Sequence, residues 1–168
     1  MSVQSIKPSI WFQGRAEEAM NYYVGTFKNS KITHIERYTG DRGIPGEGEL
    51  KGKVLTGTFE LDGFELTCLD GGPQFNLTGG ISFVVEFEAQ DELDHVWDRL
   101  VDGGNPQQCG WVTDKFGVTW QIIPASLGRM MSDRAATLEQ KQALMIAMMP
   151  MVKLDAAKLE AAFEGVKA

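Results

Sequence analysis

The chain has 168 residues, enough for one domain with a sizeable core. Its 16 basic and 23 acidic side chains leave a formal charge of −7, which argues against a nucleic-acid backbone or an anionic membrane surface as its partner. The opening Met1 to Pro8 lacks the apolar core of a signal peptide. The longest apolar stretch, Ala143 to Val152, is short and broken by Pro150, so a cytoplasmic location is expected. Cys68 and Cys109 are the only cysteines and form no C-x-x-C pair, so each reads as a small buried hydrophobe.

In chain order, Ser5 to Phe12 is β-prone and closed by Gln13-Gly14. Arg15 to Phe27 then places Ala19, Met20, Tyr23 and Phe27 at helical spacing, with Glu17 and Glu18 near the favourable N-terminus. Lys31 to Tyr38 is a second strand by its β-branched content, and Thr39 to Gly52 is a long loop with six glycines or prolines. Val54 to Leu61 and Phe64 to Leu69 are strands joined by Asp62-Gly63, the strongest short hairpin signal in sequence.

After a loop from Asp70 to Gly79 the order repeats. Gly80 to Glu86 is a strand, and Gln90 to Val101 is a helix with Leu93, Val96, Trp97 and Leu100 on one face. Asp102 to Pro106 is a turn-forming connection, followed by strands around Gln108 to Val112 and Val118 to Ile123. Ser9 to Phe12 resembles Gly80 to Phe83, and Asp62 to Thr67 resembles Phe116 to Gln121. The offsets of about 71 and 54 residues differ by the longer loop of the first half. A duplicated βαβββ unit follows.

The tail is separate. Thr137-Leu-Glu-Gln140 is a capping box opening a helix to about Met149, Pro150 ends it, and Asp155 caps a second short helix through Phe163. Leu138, Leu144, Met145, Met148 and Met149 form a broad apolar stripe that calls for burial, within the subunit or across a two-fold partner.

Leu69-Asp-Gly-Gly-Pro73, Gln108-Cys-Gly-Trp111 and Asp114-Lys-Phe-Gly-Val-Thr-Trp-Gln-Ile-Ile-Pro124 stand in this order behind Trp11-Phe-Gln-Gly-Arg-Ala-Glu-Glu-Ala-Met-Asn-Tyr-Tyr23. A Met149-Pro-Met-Val-Lys-Leu-Asp155 tail follows them. Together they resemble the PhnB-like branch of the vicinal-oxygen-chelate superfamily, the group of the glyoxalases, bleomycin-resistance proteins and extradiol dioxygenases. The resemblance covers nearly the whole chain. It implies an α+β fold in which duplicated βαβββ modules, about 5–70 and 79–124, form a curved mixed sheet around a cleft. A domain over 1–126 and a helical extension over 127–168 are expected, in a homodimer.

Many superfamily members hold a divalent metal at four positions. Carried over singly, these fall at Pro8 or its neighbour, at Glu65, near Gly80, and at Gln121, where active metalloenzymes usually have a glutamate. One carboxylate and one amide are too few for a tight site. No cofactor is expected, the alternative being a weak metal on Glu65 and Gln121. His34 and His95 read as surface or half-buried imidazoles, His34 in a strand from the wrong position of the module.

Candidates to line the cleft are Trp11, Glu65, Cys68, Asp70, Phe75, Phe83, Trp111, Trp120 and Gln121. Strand alternation fixes the parity of Trp11, Phe83, Val85, Trp120 and Ile122 but not which side faces the ligand. Glu65 and Cys68, three apart, point to opposite faces. Asp70-Gly-Gly-Pro73 suits a tight turn, or the close approach of a ligand at the cleft mouth.

There is no G-x-S-x-G elbow, P-loop or strand-following G-x-G-x-x-G. Relatives of this branch are often labelled ubiquinone-pathway methyltransferases, yet nothing here resembles an adenosylmethionine site. Three functions stay open: a binding protein holding a small amphipathic or aromatic molecule, a lyase, dioxygenase or transferase with a weak-metal or metal-free site, and an interaction module using the Met-rich tail.

Overall fold

The computed structural model describes residues 6–41, 43 and 46–166. Ser5, the expected start of the first module, lies outside the described residues, as do Arg42, Ile44 and Pro45 of the long loop. The chain forms two compact units, Met1–Leu77 and Thr78–Ala168, each with its own four-stranded mixed sheet.

In the first unit the elements are β1 (Ser9–Phe12), α1 (Ala16–Thr26), β2 (Lys31–Arg37), the short α2 (Glu47–Leu50), β3 (Val54–Leu61) and β4 (Phe64–Asp70). The strand order is β1-β4-β3-β2; β1 runs parallel to β4 and the other pairs are antiparallel. Asp62 and Gly63 both take positive φ, +48° and +82°, as the expected hairpin turn requires. The apolar face of α1 is buried through Ala16, Ala19, Met20 and Tyr23, and Tyr23 stacks on Phe59 at 6.1 Å. Gly57 allows the close approach, since a Cβ there would lie 2.4 Å from the sulfur of Met20. The expected loop from Thr39 to Gly52 contains α2. Its first residue, Glu47, is buried and accepts hydrogen bonds from the backbone N–H groups of Thr39 and Gly40, so a polar anchor orders a turn that composition reads as irregular.

In the second unit β5 (Phe83–Phe87), α3 (Gln90–Val101), β6 (Asn105–Pro106), β7 (Trp111–Thr113) and β8 (Thr119–Pro124) give the order β5-β8-β7-β6, with β5 parallel to β8. The helix has the bounds and the buried face Leu93, Val96, Trp97 and Leu100 that periodicity predicts. Two expectations are corrected. The strand expected at Gly80 begins at Phe83. Register then makes Val84, paired with Gln121, the counterpart of Ser9, paired with Thr67, and not Gly80. Asn105 and Pro106, read as turn, pair with Thr113 and Val112, because an edge position tolerates proline's missing donor.

Three helices complete the second unit: α4 (Ala125–Ser132), α5 (Leu138–Met148) and α6 (Ala156–Glu164). The capping box at Thr137 and Gln140 is formed in full, and the Asp155 carboxylate accepts from the Lys158 backbone N–H. The helix α4 has no side-chain cap and follows a strand directly, so neither capping nor a loop announced it. Leu127, Met130, Leu144, Leu154 and Leu159 form a core, with Ile123, Ala147, Met148, Met151 and Phe163 packed against it. Of the expected stripe on α5, Leu144 and Met148 are covered within the unit, whereas Leu138 and Met149 face solvent. The segment is tied back by Cys109 N–H to Met151 O at 2.7 Å and Gly110 N–H to Val152 O at 2.9 Å. Among the described residues no helix is long and apolar enough to cross a membrane.

Leu154 is fully buried and also packs over Gly110. Leu154→Ala is expected to lower unfolding free energy by about 2–5 kcal/mol in urea titrations, the usual cost of such a cavity.

Candidate functional site

Each sheet has one face under the helix of its βαβββ module, α1 or α3; the opposite face is left uncovered by the helix of the first unit, whereas in the second the tail core packs on Ile123 of that face and Thr119 there is buried. In the first unit Ile10, Phe12, Phe59, Leu66 and Cys68 lie on the helix-covered face and are buried. Cross-strand register arranges the other face as three rows, because paired residues share a face. Lys31 pairs with Glu60 and Glu60 with Glu65. His34 pairs with Thr58, Thr58 with Thr67, and Thr67 with Ser9. Glu36 pairs with Thr56, Thr56 with Leu69, and Leu69 with Trp11.

The first row is ionic. Lys31 Nζ lies 3.2 Å from a Glu60 carboxylate oxygen, and Lys7, at the strand entrance, forms an ion pair with Glu65. The second carries an imidazole and three hydroxyls, of which Thr67 donates to Pro8 O at 3.2 Å. The third ends in apolar surface at Leu69 and Trp11. His34, set aside in the sequence reading, thus shares a face with Glu65; the β-bulge at Ile32/His34 shifts the pairing there.

The Trp11 ring is held from three sides. Its indole N–H donates to Gly72 O at 2.7 Å, Phe75 meets it edge-on at 4.8 Å, and a Cβ on Gly71 would come within 2.3 Å of the ring. Gln13 secures the same turn through the Phe75 carbonyl and the Asn76 side chain. Asp70 accepts from the backbone N–H groups of Gly14 and Ala16, capping α1 from a neighbouring strand. The Asp-Gly-Gly-Pro turn therefore shapes the end of this face, with Phe75 exposed at its rim.

In the second unit Phe83, Val85, Trp120 and Ile122 lie toward the helix, with Phe83 and Trp120 rings 5.1 Å apart. Val84, Glu86, Trp111, Thr113, Thr119, Gln121 and Ile123 take the opposite face. Gln121 Nε2 donates to Ser82 Oγ at 2.8 Å. Asp114 is buried and accepts from the N–H groups of Phe116 and Val118 and from the Trp120 indole, so the Asp-Lys-Phe-Gly-Val-Thr-Trp motif is a self-satisfied turn.

The sequence-predicted residues therefore separate. Trp11 and Glu65 share the uncovered face of the first unit, with Asp70 and Phe75 at its end, and Trp111 and Gln121 share the face opposite α3 in the second. Cys68, Phe83 and Trp120 belong to the helix-covered faces. Lys7, Thr58, Thr67 and Ser82 were missed, because their placement follows from strand register. Lys7 engages Glu65, Ser82 engages Gln121, and no group of three or more His, Cys, Asp or Glu is placed to hold a metal among the described residues.

Duplicated βαβββ units with this topology define the vicinal-oxygen-chelate fold. The family model described as 3-demethylubiquinone-9 3-methyltransferase matches residues 4–123, and the chain belongs to this PhnB-like family. A Bacillus cereus PhnB protein, itself described as a 3-demethylubiquinone-9 3-methyltransferase, is 36% identical. The match covers 73% of this chain and 100% of that one, at a TM-score of 0.65. A Pseudomonas aeruginosa protein at 24% identity shares the fold over 71% of this chain and 95% of its own, at a TM-score of 0.58. So does a genomically encoded fosfomycin resistance protein, FosX, of Listeria monocytogenes, at 10% identity, 79% and 100% coverage, and a TM-score of 0.54. No curated protein matches the chain significantly.

Burial pushes the Cys68 thiol up to about 11. In native protein at pH 8 a disulfide reagent is therefore expected to modify Cys109 and spare Cys68, with both reacting after denaturation; mass spectrometry of labelled peptides reads this directly. Asp114→Asn turns an acceptor into an amide N–H facing the Trp120 indole donor, and is expected to cost about 1–3 kcal/mol in thermal or urea unfolding.

Proposed function

We propose that the chain binds a small amphipathic or aromatic molecule on the uncovered face of its first sheet, without a tightly bound metal. The observation that carries this reading is the graded face of the first unit, from ion pairs through hydroxyls to the fixed ring of Trp11. A ligand with a polar and an aromatic end meets matching groups there, and a ring already held in place loses little entropy on stacking. The donor chemistry of Glu65 and Gln121, both engaged by neighbours, supports the metal-free part. The family description names a methyltransferase, but no strand here leads into a G-x-G-x-x-G turn, so the reading is one of binding. Leu138, Ile146, Met149 and Val152, exposed on and after α5, support a homodimer with the tail at its contact.

Fluorescence titration with anilinonaphthalene sulfonate, an amphipathic aromatic probe, tests the binding face. Trp11→Ala is expected to weaken binding by about tenfold, in the range of one lost aromatic contact. Elemental analysis of purified protein is expected to find far less than one equivalent of zinc, nickel, manganese or iron. Stoichiometric metal with Glu65 or Gln121 in its coordination shell would overturn the metal-free reading, and binding indifferent to Trp11 would overturn the assigned face.

A further inference from the structure

The ionic row of the first sheet has an unusual order. Ser9 pairs with Thr67, so the chain entering β1 brings Lys7 level with Glu65, and the row across the four strands runs Lys31, Glu60, Glu65, Lys7. Two carboxylates stand directly opposite each other on β3 and β4, an arrangement that is destabilising unless positive charge is supplied. A divalent ion could supply it. Here two ammonium groups do, one at each end, and both ion pairs form within the sheet.

The resemblance to the vicinal-oxygen-chelate proteins puts its first metal-ligand position at Pro8 or its neighbour and its second at Glu65. Register identifies the residue facing Glu65 as Lys7, which as an ammonium has three donors and no lone pair to give a metal. In the second unit the same register position is Ser82, held by Gln121. We infer that Lys7 is the resident cation of this sheet, taking the place beside Glu65 that a divalent ion would need and keeping such ions out. This rests on the metal-free reading above and gives it a cause: exclusion by a fixed positive charge as well as a shortage of ligands. Glu60 and Glu65 remain in register to share a cation once Lys7 is gone, so a replacement at position 7 that adds a ligand removes both obstacles at once.

The test is calorimetric titration of the full chain with zinc and nickel ions, using wild type, Lys7→His and Lys7→His/Glu65→Gln. Lys7→His is expected to bind one equivalent at least about tenfold more tightly than wild type, and the added Glu65→Gln to abolish the gain. A second variant, Lys7→Asp, guards against loss of stability: its melting temperature should rise on adding manganese ion, while that of wild type should not. One tight equivalent in wild type, no gain in Lys7→His with no manganese effect in Lys7→Asp, or a gain that survives Glu65→Gln would each overturn the inference. The anilinonaphthalene sulfonate titration reports separately. Failure of wild type to bind that probe would remove the ligand reading and leave the role of Lys7 standing.

Discussion

Each unit depends on a short parallel pairing, β1 with β4 and β5 with β8. A four-residue strand such as β1 offers few ladder bonds, so its register is held from outside the ladder. In the first unit Asp70, at the end of β4, caps α1, and the indole of Trp11 reaches Gly72 just beyond. The two contacts lock the strand, the helix that follows it and the turn after β4 into one arrangement. In the second unit the Asp114 turn and the contact of Phe83 with Trp120 do comparable work. Because a slip of one residue would exchange the two faces of a strand, this register also decides which side chains meet the helix and which stay uncovered.

The faces differ in chemistry for the same reason. Positions toward α1 or α3 are filled by apolar side chains and, at Gly57, by no side chain at all, which brings Met20 down onto the sheet. The opposite positions of the first sheet grade from an ionic row, through a row of hydroxyls and His34, to a row that runs from Glu36 and Thr56 to Leu69 and Trp11. The tail takes no part in these rows. It packs on Ile123 and holds the segment at Cys109 and Gly110 through backbone hydrogen bonds to Met151 and Val152.

The family resemblance and the geometry address different questions. Membership in the PhnB-like family fixes the fold, and a fold of this kind carries many chemistries. The chemistry has to be read from side chains, and in this chain Lys7 pairs with the Glu65 carboxylate and Ser82 accepts from the Gln121 amide.

Much of the fold was legible in the sequence because it is written locally. The Asp62-Gly63 turn, the apolar face of α3, the capping box at Thr137 and the cap at Asp155 all depend on residues within a few positions of each other. The repeat was visible too, though its first strand was aligned at Gly80 when pairing makes Val84 the match of Ser9. The uncovered face was not legible. Alternation placed Glu65 and Cys68 on opposite sides, but only tertiary packing decided that Cys68 goes under the helix. Only the pairing of Ser9 with Thr67, distant in sequence, brought Lys7 to Glu65. Local propensity acts through neighbours along the chain, whereas a sheet face is assembled from strands distant in sequence, so its chemistry is fixed when the strands pair.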